Sequence, residues 1–286
     1  METAVVTAAG EGSRLLPLTR GMRKELLPLC ARSVNGGITL KPLLNMIFEQ
    51  LYSVGIRRFC FVLRKGENTW KNYLALNDEY IARIKEKGKS YEDIERLKKM
   101  IDDSEVDFAY QSTPKGFGDA VARAEKFVKD EDFIVHAGDG YVMRGEEVLR
   151  KLIKIHSDSK PGATLISREV KDATRYGVVN GVEKEVSGDT VLDISDIIEK
   201  SPAPPSNKAL IAVYAFNRSI FGELHASSPN ERTKELELTD GIRSLLSSGS
   251  KIYAMPLNQD SNQWLSVGSI EGYLKAFDAT RMNPPN

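Results

Sequence analysis

Two short apolar runs flanking one amphipathic helix, near the amino end, restrict the fold more than anything else in the chain. "TAVVTAA", residues 3–9, is short and β-branched and stops at Gly10, as a strand buried on both faces does. "KPLLNMIFEQLYSVG" puts Leu43, Leu44, Ile47 and Leu51 on one helical face, with Pro42 suited to a first turn and Gly55 to a stop. "RRFCFVL", residues 57–63, is a second strand. A strand, a crossover helix and a second strand predict parallel pairing. The alternation continues with strands at 106–111, 132–139 and 162–170 and helices at 118–128 and 146–156. The charged stretch 68–104 reads as mostly helical with a break near Gly88, and as a peripheral excursion outside the core.

Beyond Lys171 the pattern changes. Residues 176–200 read as short strands separated by turns, which predicts an antiparallel subregion. "SPAPPSN" is a surface loop. Residues 209–216 resume a buried strand, and helices near 238–246 and 269–277 flank the strand "KIYAMPL". The expected fold is α/β, a Rossmann-like mixed, mainly parallel sheet flanked by helices with an added antiparallel subregion. It is expected to form one domain over 1–286, with halves 1–170 and 171–286.

Charge narrows the function. Lys plus Arg and Asp plus Glu both total 40, which argues against a protein that coats nucleic acid or an anionic membrane. No apolar run approaches the ~18 residues of a membrane span. A strand follows Met1 almost at once, so no secretory leader is expected. Cys30 and Cys60 suggest no disulfide framework. A cytoplasmic protein is expected.

"TAAGEGSRLLPLTRGMRKELLPL", residues 7–29, carries the chemistry. A dinucleotide fingerprint would need glycine at Leu15 and a helix where Pro17 stands, and no Gly-Lys-Ser/Thr occurs here. What remains is a loop whose Gly10, Gly12 and Ser13 offer backbone N–H groups. Arg14, Arg20, Arg23, Lys24 and Arg32 lie in this region against Glu11 and Glu25. Such an excess suits several phosphates held together. The other reading is a surface loop with solvated charges, and the two "LLPL" segments favour a loop that packs down.

These residues resemble the signature of the sugar-phosphate nucleotidyltransferases, Gly-x-Gly-Ser/Thr-Arg-x-x-Pro-(x)n-Lys-x-x-x-Pro. "QSTPKGFGDAV", "HAGD", "RYGVV", "IIEK", "ELELTDGI" and "WLSVGS" are similar to later family segments in family order. The charged excursion, "RKELLPL" and "PSNKALIAVYAF" look most like the bacterial-type UTP–glucose-1-phosphate uridylyltransferase branch.

The resemblance implies attack of a sugar 1-phosphate on the α-phosphorus of a nucleoside triphosphate such as UTP, with pyrophosphate leaving. It implies a nucleotide-binding set of Ala8, Ala9, Gly10, Gly12, Ser13, Gln111 and Gly116. Within that set Gly10, Gly12 and Ser13 cradle phosphates, and Gln111 and Gly116 read the base. Arg14 would pair with the β- and γ-phosphates and Lys24 would sit on the α-phosphate, as the catalytic pair. Asp139 would bind Mg²⁺. Tyr176, Gly177 and Glu199 would contact sugar hydroxyls and Lys200 the sugar phosphate, which makes the antiparallel subregion the sugar-binding one. Homo-oligomers are common in the family. His136, His156 and His225 are read as structural.

Two departures stand out. Arg23 replaces a usual proline, which is expected to add charge near the triphosphate and remove rigidity. Ser266 replaces the second metal aspartate and would act through water. Another triphosphate or sugar phosphate, or a non-catalytic paralogue, are the competing expectations.

Overall fold

The computed structural model describes residues 1–88, 91–129 and 131–286. The chain opens with β1 (Thr3–Ala8), the hairpin β2 (Pro28–Arg32) and β3 (Ile38–Pro42), α1 (Leu43–Ser53) and β4 (Arg58–Arg64). Three helices follow, α2 (Thr69–Leu74), α3 (Asp78–Glu86) and α4 (Glu92–Asp102), then β5 (Glu105–Gln111), α5 (Phe117–Ala122) and α6 (Glu125–Val128). Next come β6 (Phe133–Ala137), β7 (Gly140–Val142), α7 (Glu146–Ser159) and β8 (Ala163–Glu169). The remainder is β9 (Gly177–Val186), β10 (Asp189–Glu199), β11 (Lys208–Phe216), α8 (Ser219–Ala226), α9 (Leu238–Ser247), β12 (Ile252–Pro256), β13 (Trp264–Ser266) and α10 (Ile270–Met282).

Nine strands form one mixed sheet in the order β5-β4-β1-β6-β11-β8-β12-β10-β9. The first four run parallel. β11 enters antiparallel to both β6 and β8, and the β9–β10 hairpin closes the far edge. Side chains alternate across the sheet. Ala4, Val6 and Ala8 of β1 point into a core built with α1, α2, α4, α7 and α10, while Val5 points into a second core under α5, α6, α8 and α9. With both faces covered, the strands are apolar runs, as the sequence shows. Both cysteines are free and buried, and no helix among the described residues is long and apolar enough to cross a membrane.

The structure corrects three sequence expectations. The excursion is not outside the core. Trp70 and Leu74 of α2 and Leu97 and Met100 of α4 are buried in it, and Trp70 meets Phe61 edge-on at 5.3 Å. These helices bury a few large side chains each, which leaves a weak periodic signal among many charges. The helix expected at 118–128 is two, α5 and α6. Residues 176–200 form two long strands, not several short ones. Their single turn is Ser187–Gly188, with both φ positive as a tight hairpin of this hand requires. Gly88 does mark a break, at φ 62, but positions 89–90 of the expected helical stretch lie outside the described residues.

His156, in α7, is fully buried and shares a 3.0 Å hydrogen bond with Thr164. Burial pushes its pKa down to about 4, against the pull of Asp132. Between pH 6.5 and 4 the unfolded chain therefore binds a proton that the folded chain refuses, so stability falls as pH drops through that window. The loss is on the order of 3 kcal/mol for this group. Urea unfolding across that range should show the decline, and His156→Gln should make it shallower. Identical slopes for the two proteins would contradict the assignment.

Candidate active site

Parallel pairing in register brings the carboxyl ends of β1, β6 and β5 to one edge of the sheet, where ligands of open α/β sheets bind. The glycine loop leaves β1, Asp139 follows β6, and Gln111 ends β5. From the second half, Gly177 and Glu199 are register partners at the open end of the β9–β10 hairpin. Together they line a cleft of about 620 Å³.

Gly12 sits at φ 68, and a Cβ there would lie 2.8 Å from the Thr19 methyl. Thr19 Oγ1 donates to the Gly12 carbonyl at 2.9 Å. Three single 3-10 turns follow, at Ser13–Leu15, Leu18–Arg20 and Lys24–Leu26. Leu15, Leu27 and Leu29 are buried under them, so the loop packs down as expected, although Leu16 and Leu18 stay outside.

The five cations of this region do not act together. Only Arg14 and Lys24 reach the cleft. Arg14 is exposed and has no acidic partner within 4 Å among the described residues. Arg23 turns away from the cleft. Its Nη2 donates to the carbonyls of Gly10 and Ala8, so it ties the loop down where a loss of rigidity was expected. Ala8 contributes this carbonyl and a buried methyl, and is the one member of the expected nucleotide set that does not line the cleft.

Lys24 Nζ lies 2.6 Å from Asp139 Oδ2. Burial works against the charge on Lys24, but Asp139 and Glu25 outweigh it and hold the pKa above the usual lysine value. Burial likewise opposes ionisation of Asp139, and Lys24 overcomes it and keeps the carboxyl below its usual range. Beside them the Glu25 carboxyl is buried and pushed up to about 7 by desolvation, in spite of Lys24 and Arg23. Its linkage has the opposite sign to that of His156: its contribution to stability is present at low pH and is lost as pH rises through 7.

Ser266 stands beside Asp139. It pairs with Gly140 across β13 and β7, and a Cβ on Gly268 would lie 3.4 Å from its hydroxyl and 3.5 Å from Asp139 Oδ2. Gln111 is buried, and its Nε2 donates to Asp119 and to the Gly116 carbonyl. Both partners are acceptors, so the amide orientation is fixed.

Tyr176, Gly177, Glu199 and Lys200 line the other end of the same cleft. A Cβ on Gly177 would lie 2.8 Å from Glu199 Oε2, so only glycine leaves that carboxylate in place. Lys200 Nζ sits 3.1 Å from both Glu199 and Glu237. Burial lowers its pKa, but the two carboxylates outweigh burial and raise it. Desolvation raises the pKa of Glu199 despite its hydrogen bonds from Thr239 and Lys200.

A family profile described as "Nucleotidyl transferase" matches residues 3–283, which includes every residue of this cleft. The chain belongs to the nucleotidyl transferase family. It is 31% identical over 278 residues to a putative UTP–glucose-1-phosphate uridylyltransferase of Methanocaldococcus jannaschii, covering 96% of this chain and 90% of the relative. It is 30% identical to the UTP–glucose-1-phosphate uridylyltransferase of Bacillus subtilis, over 85% and 79% of the two chains. An apo UDP-glucose pyrophosphorylase has the same fold, with a TM-score of 0.86 over 99% of this chain and 98% of that one at 24% identity. A UTP-bound enzyme from Acinetobacter baumannii matches at 0.80 over 100% and 95%, with 25% identity.

The nucleotidyl transferase cleft also contains residues that sequence reasoning passed over: Arg175, Tyr214, Glu235, Glu237 and Thr239. The helix expected near 238–246 is α9, which starts at Leu238, and the residues just before it, Glu235 and Glu237, were given no role. The alternation of Glu235 and Glu237 with Leu236 and Leu238 was the available signal, since it sets acids and leucines on opposite sides of an extended segment.

Proposed function

We propose that the protein transfers a uridylyl group from UTP to glucose 1-phosphate. An oxygen of the sugar phosphate forms a bond to the α-phosphorus of UTP, the bond from that phosphorus to the bridging oxygen breaks, and pyrophosphate leaves. UDP-glucose is the other product. The attacking phosphate is already ionised, so no general base is needed. The reaction needs alignment and neutralisation of developing charge. The observation that carries this reading is the Lys24–Asp139 contact, held in one cleft between a glycine loop and a polar end lined by Tyr176, Glu199 and Lys200.

Gly10, Gly12 and Ser13 turn backbone N–H groups to the phosphates, and Arg14 supplies an unpaired cation to the leaving pyrophosphate. Lys24 has three donors and spends one on Asp139, leaving two for the α-phosphate. Gln111 has both amide hydrogens committed, so its Oε1 is left to accept from the base. Uracil offers an N–H donor on its pairing edge, where cytosine presents an acceptor. Glu199 accepts from sugar hydroxyls, as does the Thr239 oxygen, whose own proton is committed to Glu199 at 2.6 Å, and Lys200 meets the sugar phosphate.

No three His, Cys, Asp or Glu converge as a metal site among the described residues. One carboxylate with a neighbouring hydroxyl fits Mg²⁺, which keeps waters and borrows substrate phosphate oxygens. Asp139 would hold it, with Ser266 reaching it through water, and it would neutralise phosphate charge. Residues 1–170 serve mainly the nucleotide and 171–286 mainly the sugar. Substrates of this charge do not cross a bilayer unaided, which fits a cytoplasmic enzyme.

Pyrophosphate release from four nucleoside triphosphates crossed with several sugar 1-phosphates tests this. UTP with glucose 1-phosphate should exceed every other pair. A better rate with another pair would replace the substrate assignment, and inertness with all pairs would end the catalytic one.

A further inference from the structure

A second cavity of about 500 Å³ lies across the glycine loop from the cleft. The two share no lining residue. Lys24 and Glu25 face the cleft, whereas Arg20, Arg23 and Leu26 face the second cavity. Its opposite wall is the turn after β4, with Arg64 and Lys65, and Tyr73 and Pro42 contribute apolar surface. That turn is built for its position. Gly66 has φ 86, and the Arg64 carbonyl accepts from Glu67 N at 3.0 Å.

Four cations line this space against one carboxylate, Glu67, whose Oε1 accepts the Thr69 N–H at 2.6 Å. Among the described residues, Arg20, Arg64 and Lys65 have no acidic partner within 4 Å. The whole chain is neutral. Two separate segments thus bring four cations together against Glu67 in the wall and Glu25, which lies 3.8 Å from Arg23 Nε, and guanidinium groups matched to phosphate oxygens dominate the set.

We propose that this cavity is a regulatory site for a phosphate-bearing anion, separate from the reaction cleft. Its coupling to the cleft runs through two contacts. Arg23 reaches from the cavity to the carbonyls of Gly10 and Ala8, and Lys65 N donates to the Gln111 carbonyl at 2.9 Å. An anion that draws Arg23 toward itself withdraws the clasp on the phosphate loop, so it weakens UTP binding, and UTP weakens the anion by the same factor. Binding of the anion stands apart from the uridylyl-transfer reading, while the coupling rests on it.

Calorimetry on the full chain tests both parts. With the cleft saturated by UTP and no sugar phosphate present, inorganic phosphate, pyrophosphate and glycerol 3-phosphate are titrated separately. At least one should bind once per chain, and the double variant Arg64→Glu, Lys65→Glu should bind it about tenfold or more weakly. The double variant should keep its melting temperature and its UTP affinity, and Arg64→Gln should give an intermediate loss. In wild type the anion should raise the UTP dissociation constant several-fold, and in the double variant it should not. Pyrophosphate alone binding supports the site with the reaction's own product as its ligand. Binding of the monoester supports it with a phosphorylated metabolite. Failure of all three anions on the UTP-filled protein, or equal binding by the double variant, overturns the proposal. Absence of UTP binding in the same cell would instead count against the cleft reading.

Discussion

Lys24→Ala is expected to lower kcat by about 10³-fold while changing the UTP dissociation constant only several-fold. The ammonium sits 2.6 Å from Asp139 and about the same cleft as the glycine loop, so it is held in place before any substrate arrives. Charge grows on the α-phosphate oxygens during attack, and a fixed cation in a partly buried cleft stabilises that growth at no cost in reorganisation. Ground-state binding draws on Arg14 and on backbone donors as well, so it survives better. The variant should still fold, because the pair is only partly buried and its loss costs about 1–2 kcal/mol. Single-turnover pyrophosphate release with UTP binding measured in parallel is the check. Activity within tenfold of wild type would remove Lys24 from the chemistry.

The placement of Lys24 was legible in the sequence because the strand before the glycine loop and the strand before Asp139 are uniform apolar runs. Two such runs, β1 and β6, paired with each other as parallel neighbours, have to deliver their following residues to one edge. The nine-strand sheet was less legible. β11 inserts between β6 and β8 from far along the chain, and nothing local in "ALIAVYAF" announces its partners. Arg23 shows the limit at the site. A cation near expected phosphates reads as a phosphate ligand, but its guanidinium is spent on two loop carbonyls, a choice made by geometry over a few ångströms. The end of the cleft proposed for the sugar was legible in part. Glu199 and Lys200 stand at a recognisable strand end, whereas Glu237 precedes a helix and reaches Lys200 only because the loop at 227–237 folds back over the cleft.

That folding back depends on a glycine expected to read a base. Gly116 has φ 109, and a Cβ there would lie 2.5 Å from the Leu236 carbonyl. Around it, Leu236 N donates to the Lys115 carbonyl at 2.7 Å and Gly118 N donates to the Leu236 carbonyl at 2.8 Å. Gly116 also holds Gln111 through its own carbonyl, at 3.1 Å. One residue therefore fixes the Gln111 amide and the segment carrying Glu235, Glu237 and Thr239. Gly116→Ala adds left-handed strain and a clash with backbone that has no rotamer to yield, so stability should fall by about 2–4 kcal/mol. A shift of about 1 Å in that segment is enough to lower kcat/KM by about 10²-fold. Gly222→Ala in α8 is the control, since its Cβ would meet nothing within 4 Å and an alanine suits a helix. Because the clasp joins both ends of the cleft, KM should rise for UTP and for the sugar phosphate together. A rise confined to UTP would mean that Gly116 serves the base alone and that the sugar end is positioned by other contacts.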